Sequence, residues 1–404
     1  MRRLCRSRVG RYFAVMHSGK FVLAQLLDWI HPQQFQRCVV RYGGDYKVRR
    51  FSCWDQFLCL AFAQLTYRES LRDIEACLRS RHAQLYHLGL RGEVSRTTLA
   101  DANEARDWRI YADLAHGLIR QARQLYAHDD LGVALEQTAY ALDATTIDLC
   151  LSLFPWARFR RTKGAVKMHT LLDVRGSIPT TVSVSDGRTH EVNGLDQLAF
   201  EANSIYIMDR GYLDFARLRT IEQAQAFFVI RAKERLNYCR LHSHPVATAT
   251  GLRSDQTISL TGFYSRQSYP GKLRRVRFYD VEQKRALVFL TNHFGLPALT
   301  VSRLYCLRWR VELFFKWIKQ HLRIKAFYGT SPNAVRTQLW IAVSVYVLVA
   351  IIRKQLKIEA SMFTILQILS VSTFDKMPLP QLLAQAKLQT LPDDFHNQLL
   401  LFNQ

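Results

Sequence analysis

The chain has 404 residues, more than one average domain, which predicts two or three domains. Hydrophobic residues make up 49% of it and aromatic residues 12%, enough for folded cores, which excludes a disordered chain. Its 56 lysines and arginines against 33 acids give a net charge of +23, which favours a polyanionic partner, nucleic acid before an acidic membrane surface.

The cysteines and the apolar runs indicate where the protein works. The eight cysteines form no CxxC pair and no zinc-finger cluster with histidines, as expected for buried thiols of a reducing compartment. The basic N-terminus, MRRLCRSRVGRYFAVM, lacks the apolar core of a signal peptide. The longest apolar run, LWIAVSVYVLVAII at 339–352, is shorter than the ~18 residues of a membrane span and predicts a buried helix. We therefore expect a cytoplasmic protein with no membrane partner.

Residues 1–125 predict a helical N-terminal domain. Apolar residues have helical spacing in FVLAQLLDWI, WDQFLCLAFAQL and SLRDIEACLRS. The first 60 residues contain 11 lysines and arginines against three aspartates, so we interpret this domain as DNA-binding. Its segment SRTTLADANEAR predicts a short helix, which fits either a DNA-reading helix or an ordinary solvated one. The side chains that such a helix would present are Arg96, Thr97, Asn103 and Arg106.

The next section predicts alternating strands and helices, as in an α/β layer. The strand predictions are AYALDATTIDLCLSL, SIYIMDRGYLD and KMHTLLDVRGSIPTTVSVSDGR, the last forming two strands around a turn at Gly176. LDQLAFEA and FARLRTIEQA have helical spacing. The pattern then becomes β-rich in FFVIRAK, QTISLTGFYS, RRVRFYDVEQ and ALVFLTN, before helices return at 300–325 and 333–357.

One acid stands alone in a basic segment. Between residues 283 and 358 the only carboxylate is Glu312. On a helical wheel one narrow polar stripe contains Tyr305, Arg308, Glu312 and Lys319. An i,i+4 pair of Arg308 with Glu312 explains the acid but not the absence of other acids around it. A stripe that faces phosphate explains both, because cations bind phosphate oxygens and one carboxylate is kept as a ligand of Mg²⁺.

A metal-binding glutamate needs partner acids from elsewhere in the chain. Asp143 lies in an apolar strand, where a carboxylate is costly unless it is bonded. Asp209 follows the strand SIYIM, and sites collect at strand ends of α/β sheets. Spacing alone does not exclude the competing acids Asp148, Asp173, Asp186 and Asp214.

Together these residues resemble a known family. Tyr305-x2-Arg308-x3-Glu312-x6-Lys319 has the spacing of the Y-R-E-K signature of bacterial insertion-sequence transposases of the insertion-sequence-four type. Asp143-Ala-Thr145 resembles their first aspartate motif, and Asp209-Arg-Gly-Tyr212 resembles their second. The segments KGAVKMH and LVFLTN are similar to flanking family segments, so the match covers about residues 139–350.

The resemblance implies an α/β fold with an RNase H-like catalytic core, interrupted by a β-stranded insertion and preceded by the helical DNA-binding domain. We expect the first part of the core at 126–226, the insertion at 227–299 and the second part, with the glutamate helix, at 300–370. A helical tail at 371–404 follows.

The resemblance also implies the site. Asp143, Asp209 and Glu312 would form a DDE triad that binds two Mg²⁺ ions, for which Mn²⁺ can substitute. Tyr305, Arg308 and Lys319 would grip the DNA phosphates of the transferred end. Further phosphate contacts are expected from Arg160, Lys163, Lys167 and Arg210. The basic segment WARFRRTKGAVK favours such contacts, although a solvated loop would have the same composition.

The implied activity is cut-and-paste transposition by a synapsed homodimer on double-stranded DNA. The enzyme would cleave at terminal inverted repeats and join the 3′-OH to target DNA. Relatives that form a DNA hairpin stack a flipped base on a tryptophan of the insertion, and residues 226–300 contain none. Phe289, Tyr264 or Tyr279 could replace it. The alternatives are an RNase H-like nuclease without strand transfer and a domesticated, non-catalytic DNA-binding protein.

Overall fold

The computed structural model describes residues 19–90, 92–160, 163–281, 284–321 and 327–384. The described residues form two compact units. One unit contains those up to Leu125 and those from Lys316 onwards, and the other contains those from Tyr126 to Phe315. The finer domain boundaries expected from the sequence stay predictions.

Helices make up most of the first unit and lie between strands in the second. Their bounds are α1 Val22–Leu27, α2 Pro32–Arg41, α3 Cys53–Leu65, α4 Leu71–Arg79, α5 His82–Leu85, α6 Arg96–Ala105, α7 Arg109–Tyr126, α8 Phe215–Gln223, α9 Phe263–Ser268, α10 Ala298–Leu307, α11 Trp309–His321, α12 Pro332–Gln355, α13 Met362–Ser372 and α14 Leu379–Ala384. Short 3₁₀ turns lie at Tyr86–Leu88, Glu191–Gln197, Arg210–Tyr212 and Thr248–Thr250.

Helix α12 is the centre of the first unit. It is long and apolar enough to cross a membrane by length and composition, but 94% of its most apolar window is buried inside the protein. It packs against α3, α6 and α13 of the same unit. Its start is fixed by Ser331, whose side chain accepts a hydrogen bond from the backbone N–H of Ala334, and by Pro332 in the first turn. The buried helix predicted at 339–352 is confirmed, and the bounds of α12 agree to within two residues with the helix predicted at 333–357.

Helix α6 forms where SRTTLADANEAR predicted it, but two of the four side chains that it was expected to present are buried in the core. The Oδ1 atom of Asn103 accepts a hydrogen bond from Gln56 Nε2 at 2.7 Å. Arg106 donates to Gln56 Oε1 at 3.1 Å and to two backbone carbonyls. Both side chains are buried because they satisfy polar groups of the core, so the prediction that the helix presents them on its surface is wrong. Arg96 and Thr97 are exposed as predicted.

The second unit is built on one ten-stranded sheet. Its strands are β1 Ala139–Leu149, β2 Arg158–Arg160, β3 Lys163–Asp173, β4 Ile178–Asp186, β5 Ile205–Met208, β6 Phe227–Arg231, β7 Tyr238–His244, β8 Leu252–Leu260, β9 Lys272–Asp280 and β10 Arg285–Thr291. β1, β5 and β6 are parallel neighbours, while β3 runs antiparallel to both β1 and β4. The order β4-β3-β1-β5-β6 is that of an RNase H-like core.

The turn predicted between β3 and β4 is confirmed and depends on Gly176. This residue has a φ of +71°, a conformation that glycine adopts without steric cost. A Cβ atom at this position would also lie 2.4 Å from the ring of Tyr126. Both the conformation and the close approach therefore require glycine.

LDQLAFEA does not form the predicted helix. A 3₁₀ turn ends at Gln197, and the chain that follows makes tertiary contacts instead. The ring of Phe200 packs edge-on against Tyr206, and Glu201 accepts a hydrogen bond from the hydroxyl of Tyr140. These contacts to the sheet override a helical spacing that covers only two turns.

Strands β7 to β10 form an antiparallel meander that extends the same sheet through the pairing of β10 with β6. The prediction for QTISLTGFYS is correct as far as Leu260, after which the residues enter α9. Strand β7 was not predicted, because its side chains are mostly exposed and show no alternation of apolar and polar residues.

A buried ion pair joins this meander to the segment that leads into α10. Arg274 on β9 bonds both carboxylate oxygens of Asp255 on β8, at 2.9 and 2.7 Å, and both side chains are less than a tenth exposed. The same guanidinium donates to the backbone carbonyls of His293, Phe294 and Leu296. The loop that starts the Tyr305-bearing helix is thereby fixed to the sheet.

We predict that Arg274→Met lowers the free energy of unfolding by about 3–5 kcal/mol, because Asp255 is left buried without its counter-charge. Arg277→Met on the same strand is the matched control, since Arg277 is exposed. Chemical denaturation of both variants measures the difference. Equal stabilities for the two variants would contradict the role assigned to the pair.

Candidate active site

Sheet register brings two of the predicted acids to the point where the parallel pairing of two neighbouring strands ends. Leu142 of β1 pairs with Met208 of β5, and these two strands are parallel. Asp143 and Asp209 are the next residues in the chain, so they lie at the same level, where β5 ends while β1 continues to Leu149. Adjacent strands lie about 4.8 Å apart, which makes these carboxylates neighbours although 65 residues of chain separate them.

The signature segment forms two helices rather than the single helix assumed for the wheel. Helix α10 ends at Leu307, α11 begins at Trp309, and Arg308 lies at the junction. The backbone N–H of Val311 donates to the carbonyl of Arg308 at 3.1 Å, a tight turn of the 3₁₀ kind. Despite this break, Tyr305 and Glu312 both contact Arg308.

Arg308 is the centre of the site. Its Nη1 donates to Asp143 Oδ2 at 3.0 Å, and its Nη2 donates to Glu312 Oε1 at 2.6 Å. Its guanidinium lies over the ring of Tyr305, 5.6 Å from the ring centre. All three charged side chains are mostly buried, with 15% exposure for Arg308, 16% for Asp143 and 29% for Glu312. Burial alone would lower the pKa of Arg308, but the Glu312 and Asp143 carboxylates raise it above its usual value.

Asp209 is held by Tyr305. The phenol hydroxyl of Tyr305 donates to Asp209 Oδ1 at 2.9 Å, and the Tyr305 ring packs on Phe289 with 4.7 Å between ring centres. Burial works to raise the pKa of Asp209, but hydrogen bonds from the Arg210 backbone and from Tyr305, together with the charge of Arg308, lower it overall. Burial raises the pKa of Tyr305 to about 12, so its hydroxyl stays protonated and donates.

Asp143 is the carboxylate with the least compensated charge. Burial raises its pKa to about 6, although Arg308 and the backbone N–H of Ala144 favour the charged form. The nearby carboxylates of Glu312 and Glu191 add to the rise. One guanidinium bonds the carboxylates of both Asp143 and Glu312, so these two acids have more negative charge than Arg308 neutralises, a setting that favours an added cation.

Three of the competing acids have structural roles. Asp173 accepts from the backbone N–H of Arg175, and Asp186 accepts from the backbone and hydroxyl of Thr189. Asp214 caps α8 and pairs with Arg217. The fourth, Asp148, is exposed further along β1.

The predicted phosphate-binding cations have different settings. Arg160, Lys163 and Arg210 are exposed. Lys167 is buried, donates to the Thr189 carbonyl at 2.8 Å and lies 3.9 Å from a carboxylate oxygen of Glu191. Lys319 is half-buried on the part of α11 that belongs to the first unit.

Sequence reasoning missed two residues of this site. The hydroxyl of Tyr212 is buried without a hydrogen-bond partner among the described residues, and the Asp143, Glu191 and Asp209 carboxylates add to the burial that raises its pKa. A Cβ on Gly211 would lie 3.4 Å from Glu191 Oε2, so Glu191 borders the residues that follow Asp209. In the sequence Glu191 is an ordinary acid in a turn, and no pattern distinguishes it.

The donor set fits a hard divalent cation in its chemistry, since it consists of carboxylate oxygens around one buried and undercompensated aspartate. In the described part of the chain, however, no three His, Cys, Asp or Glu side chains are grouped as a metal site. Arg308 accounts for this, because its guanidinium bonds Asp143 and Glu312 while Tyr305 bonds Asp209.

A fold with an RNase H-like strand order and carboxylates clustered where its parallel strand pairing ends defines a class of metal-dependent phosphoryl-transfer enzymes. Residues 135–348 match the family model described as "Transposase DDE domain", which is more than half of the chain. The chain therefore belongs to the DDE transposase family. It is a DNA-binding enzyme that cleaves and transfers DNA, and its activity depends on divalent metal. Residues 18–91 match a domain of unknown function.

Individual relatives agree with this membership. "Putative transposase y4zB" of Sinorhizobium fredii (strain NBRC 101917 / NGR234) is 32% identical over 63% of this chain and 70% of its own length. "Probable transposase for insertion sequence element IS5377" of Geobacillus stearothermophilus is 32% identical over 54% of this chain and 57% of its own. "Putative transposase for insertion sequence element IS4SA" of Synechocystis sp. is 21% identical over 68% of this chain and 76% of its own length.

One solved structure has a weaker overall likeness. The piggyBac transposase in its synaptic complex with hairpin DNA matches 94% of this chain and 84% of its own with a TM-score of 0.43 and 8% identity. A likeness this low defines neither fold nor function.

We predict that Arg308→Gln makes the stability of the protein depend on divalent metal. Without metal the variant should lose about 3 kcal/mol or more of unfolding free energy, because Asp143 and Glu312 lose their shared counter-charge. Added Mg²⁺ should then raise the melting temperature of the variant more than that of the unaltered protein.

The matched control is Arg310→Gln. Arg310 is two residues away and also mostly buried, but it donates to the backbone carbonyl of Val174 rather than to a carboxylate. Thermal unfolding with and without Mg²⁺ checks all three proteins. If Mg²⁺ shifted the three melting temperatures equally, Arg308 would not be the counter-ion of these carboxylates.

Proposed function

We propose that the protein is an insertion-sequence transposase that cleaves the ends of its element and joins them to target DNA with Asp143, Asp209 and Glu312 as its catalytic acids. The observation that carries this proposal is the convergence of Asp143 and Glu312 on one guanidinium beside the Tyr305–Asp209 pair. Membership of the DDE family favours it over a nuclease that does not rejoin strands and over a non-catalytic DNA-binding protein.

The three acids would hold two Mg²⁺ ions, with Mn²⁺ as a substitute. When bound, such ions activate the attacking oxygen and stabilise the leaving oxygen of an in-line displacement at phosphorus. The contribution of the chain is to fix the acids. Parallel strands set the positions of Asp143 and Asp209, and the first turn of α11 presents Glu312.

Tyr305 and Arg308 would position the acids before DNA binds and hold DNA afterwards. In the free protein the guanidinium keeps Asp143 and Glu312 together, and the phenol orients Asp209. Arg308 is suited to a change of partner, because a guanidinium matches a phosphate as well as a carboxylate. We propose that it turns from the carboxylates to the phosphate next to the scissile bond, with Lys319 as a further phosphate contact.

The exposed cations around the site would follow the DNA backbone. Arg160, Lys163 and Arg210 are accessible for this role. Lys167 lies too deep for a contact without rearrangement, since its ammonium bonds the Thr189 carbonyl. We therefore propose that Lys167 acts on the site by holding Glu191, which lies 3.9 Å away.

The partners proposed are double-stranded DNA, as terminal inverted repeats and as target, and a second copy of the chain in a synaptic homodimer. The protein would act on the bacterial nucleoid in the cytoplasm. Among the aromatics suggested for base stacking, Phe289 is fully buried against Tyr305, while Tyr264 is 80% exposed. The third candidate, Tyr279, is half-buried with the guanidinium of Arg253 over its ring, so Tyr264 is the residue to which a hairpin step would be assigned.

We expect Glu312→Gln to lower Mg²⁺-dependent cleavage of the element end at least about 10³-fold, because losing a metal ligand weakens electrostatic stabilisation of the transition state. Asp143→Asn should have the same effect. Asp148→Asn, on the same strand but exposed, serves as the control and should cleave normally. Single-turnover cleavage of a labelled end measures all four proteins. Normal cleavage by Glu312→Gln would contradict the assignment of Glu312 as a catalytic acid.

Strand joining separates the transposase from a nuclease. A pre-cleaved end with a labelled 3′-OH, incubated with Mg²⁺ and plasmid DNA, should give joined products with the unaltered protein and none with Asp143→Asn. Cleavage without joining would favour the nuclease. Failure of both reactions, with DNA binding retained, would favour the non-catalytic protein.

A further inference from the structure

An exposed basic loop lies between α2 and α3 in the first unit. Five consecutive residues, Tyr46 to Arg50, are exposed, and three of them are cations. Tyr46 is 76% exposed although it is a large aromatic residue, and the ammonium of Lys47 lies 5.2 Å from its ring centre. Neither the catalytic site nor the core of the unit accounts for this loop, which falls within the domain of unknown function.

The base of the loop is fixed before the exposed residues begin. Gly44 lies so close to the core that a Cβ would be 2.4 Å from Ile110 Cδ1 and 2.6 Å from Cys53 Sγ. Asp45 accepts a hydrogen bond from the backbone N–H of Cys53 at 2.7 Å, which ties the start of the loop to the first turn of α3. Lys47 has a φ of +58°, so the chain turns sharply at this cation.

The far end of the loop is fixed as well. Ser52 and Asp55 form a capping box at the start of α3. The buried guanidinium of Arg106 donates to the carbonyls of Phe51 and Ser52 and lies over the Phe51 ring. The cations are thus presented on a segment anchored on both sides, which reduces the conformational entropy lost on binding.

Beside the loop, the charged side chains that are free to bind a ligand are cations. A shallow groove there is lined by Val48, Arg49, Arg50 and Trp54, together with the acids Asp45 and Asp55. Both acids accept hydrogen bonds from backbone N–H groups of the α3 start. In the part of the chain that the structure describes, the side chains of Arg49 and Arg50 make no ion pair or hydrogen bond. In contrast, Arg41 nearby is paired with Asp113.

We propose that the Tyr46–Arg50 loop is a docking surface for the phosphate backbone of double-stranded DNA. Lys47, Arg49 and Arg50 bind phosphate oxygens, and the exposed phenol of Tyr46 donates to a phosphate or packs on a sugar. The choice of DNA as partner rests on the proposed function. DNA is favoured over an anionic membrane because interfacial helices insert a broad apolar face into the membrane, and the large apolar side chains of this loop are only Tyr46 and Val48.

The test measures DNA binding in the presence of a chelator, so that cleavage does not contribute. The variant is Lys47→Gln with Arg49→Gln and Arg50→Gln. The control is Arg37→Gln with Arg72→Gln and Arg120→Gln, which removes the same charge from three exposed positions on separate helices of the same unit. Binding of a short mixed-sequence duplex is titrated at several salt concentrations, and circular dichroism verifies that each protein is folded.

The loop variant should bind the duplex at least about tenfold more weakly, and the slope of log K against log salt should fall by about three, one for each lost phosphate contact. The control should behave like the unaltered protein. The charge-conserving variant Lys47→Arg with Arg49→Lys and Arg50→Lys should keep the original slope.

Equal losses for the loop variant and the control would overturn the proposal, since general charge would then be responsible. An unchanged slope for the loop variant would overturn it too, even if the protein cleaves DNA as proposed. Conversely, the unaltered protein could fail to cleave DNA while the loop variant still shows the smaller salt slope. That result would contradict only the catalytic assignment. Vesicles of phosphatidylserine in phosphatidylcholine test the membrane, and loop-dependent binding to them without loop-dependent DNA binding would also contradict the proposal.

Discussion

The site depends on the guanidinium of Arg308, which lies between two carboxylates from distant parts of the chain. Asp143 comes from a strand and Glu312 from a helix, and two buried acids repel each other unless a cation separates them. The guanidinium has the geometry to bond both at once. It keeps the two acids proposed as catalytic together, in an arrangement that leaves negative charge for a bound metal to neutralise.

The rest of the second unit supports this arrangement from two directions. Parallel pairing of β1 with β5 places Asp143 and Asp209 beside each other, directly after the last paired residues of the two strands. The meander of β7 to β10 leads into α10 through a loop whose backbone carbonyls bond Arg274. These strands therefore help to position the helix that carries Tyr305 and leads to Arg308.

Local pattern predicted much of the fold. The apolar strands β1, β5 and β6 follow from their runs of apolar residues, and the turn at Gly176 follows from a residue that adopts positive φ without steric cost. Two of the failures have a common cause. LDQLAFEA lost its helix to contacts with Tyr140 and Tyr206, and Asn103 and Arg106 were drawn inward by Gln56. In each case a distant residue supplied a partner that sequence spacing does not reveal.

The sequence by itself determined the chemistry of the protein. The isolation of Glu312 among cations, the two aspartate motifs and the large positive charge point to phosphate and metal, because they reflect charge repulsion and ligand type rather than shape. Tertiary structure alone decided which charges face each other. It paired Arg308 with Asp143 as well as with Glu312, buried Lys167, brought Glu191 to the site and left the Tyr46–Arg50 loop exposed. These outcomes depend on strand register and packing between segments far apart in the chain, which no local pattern contains.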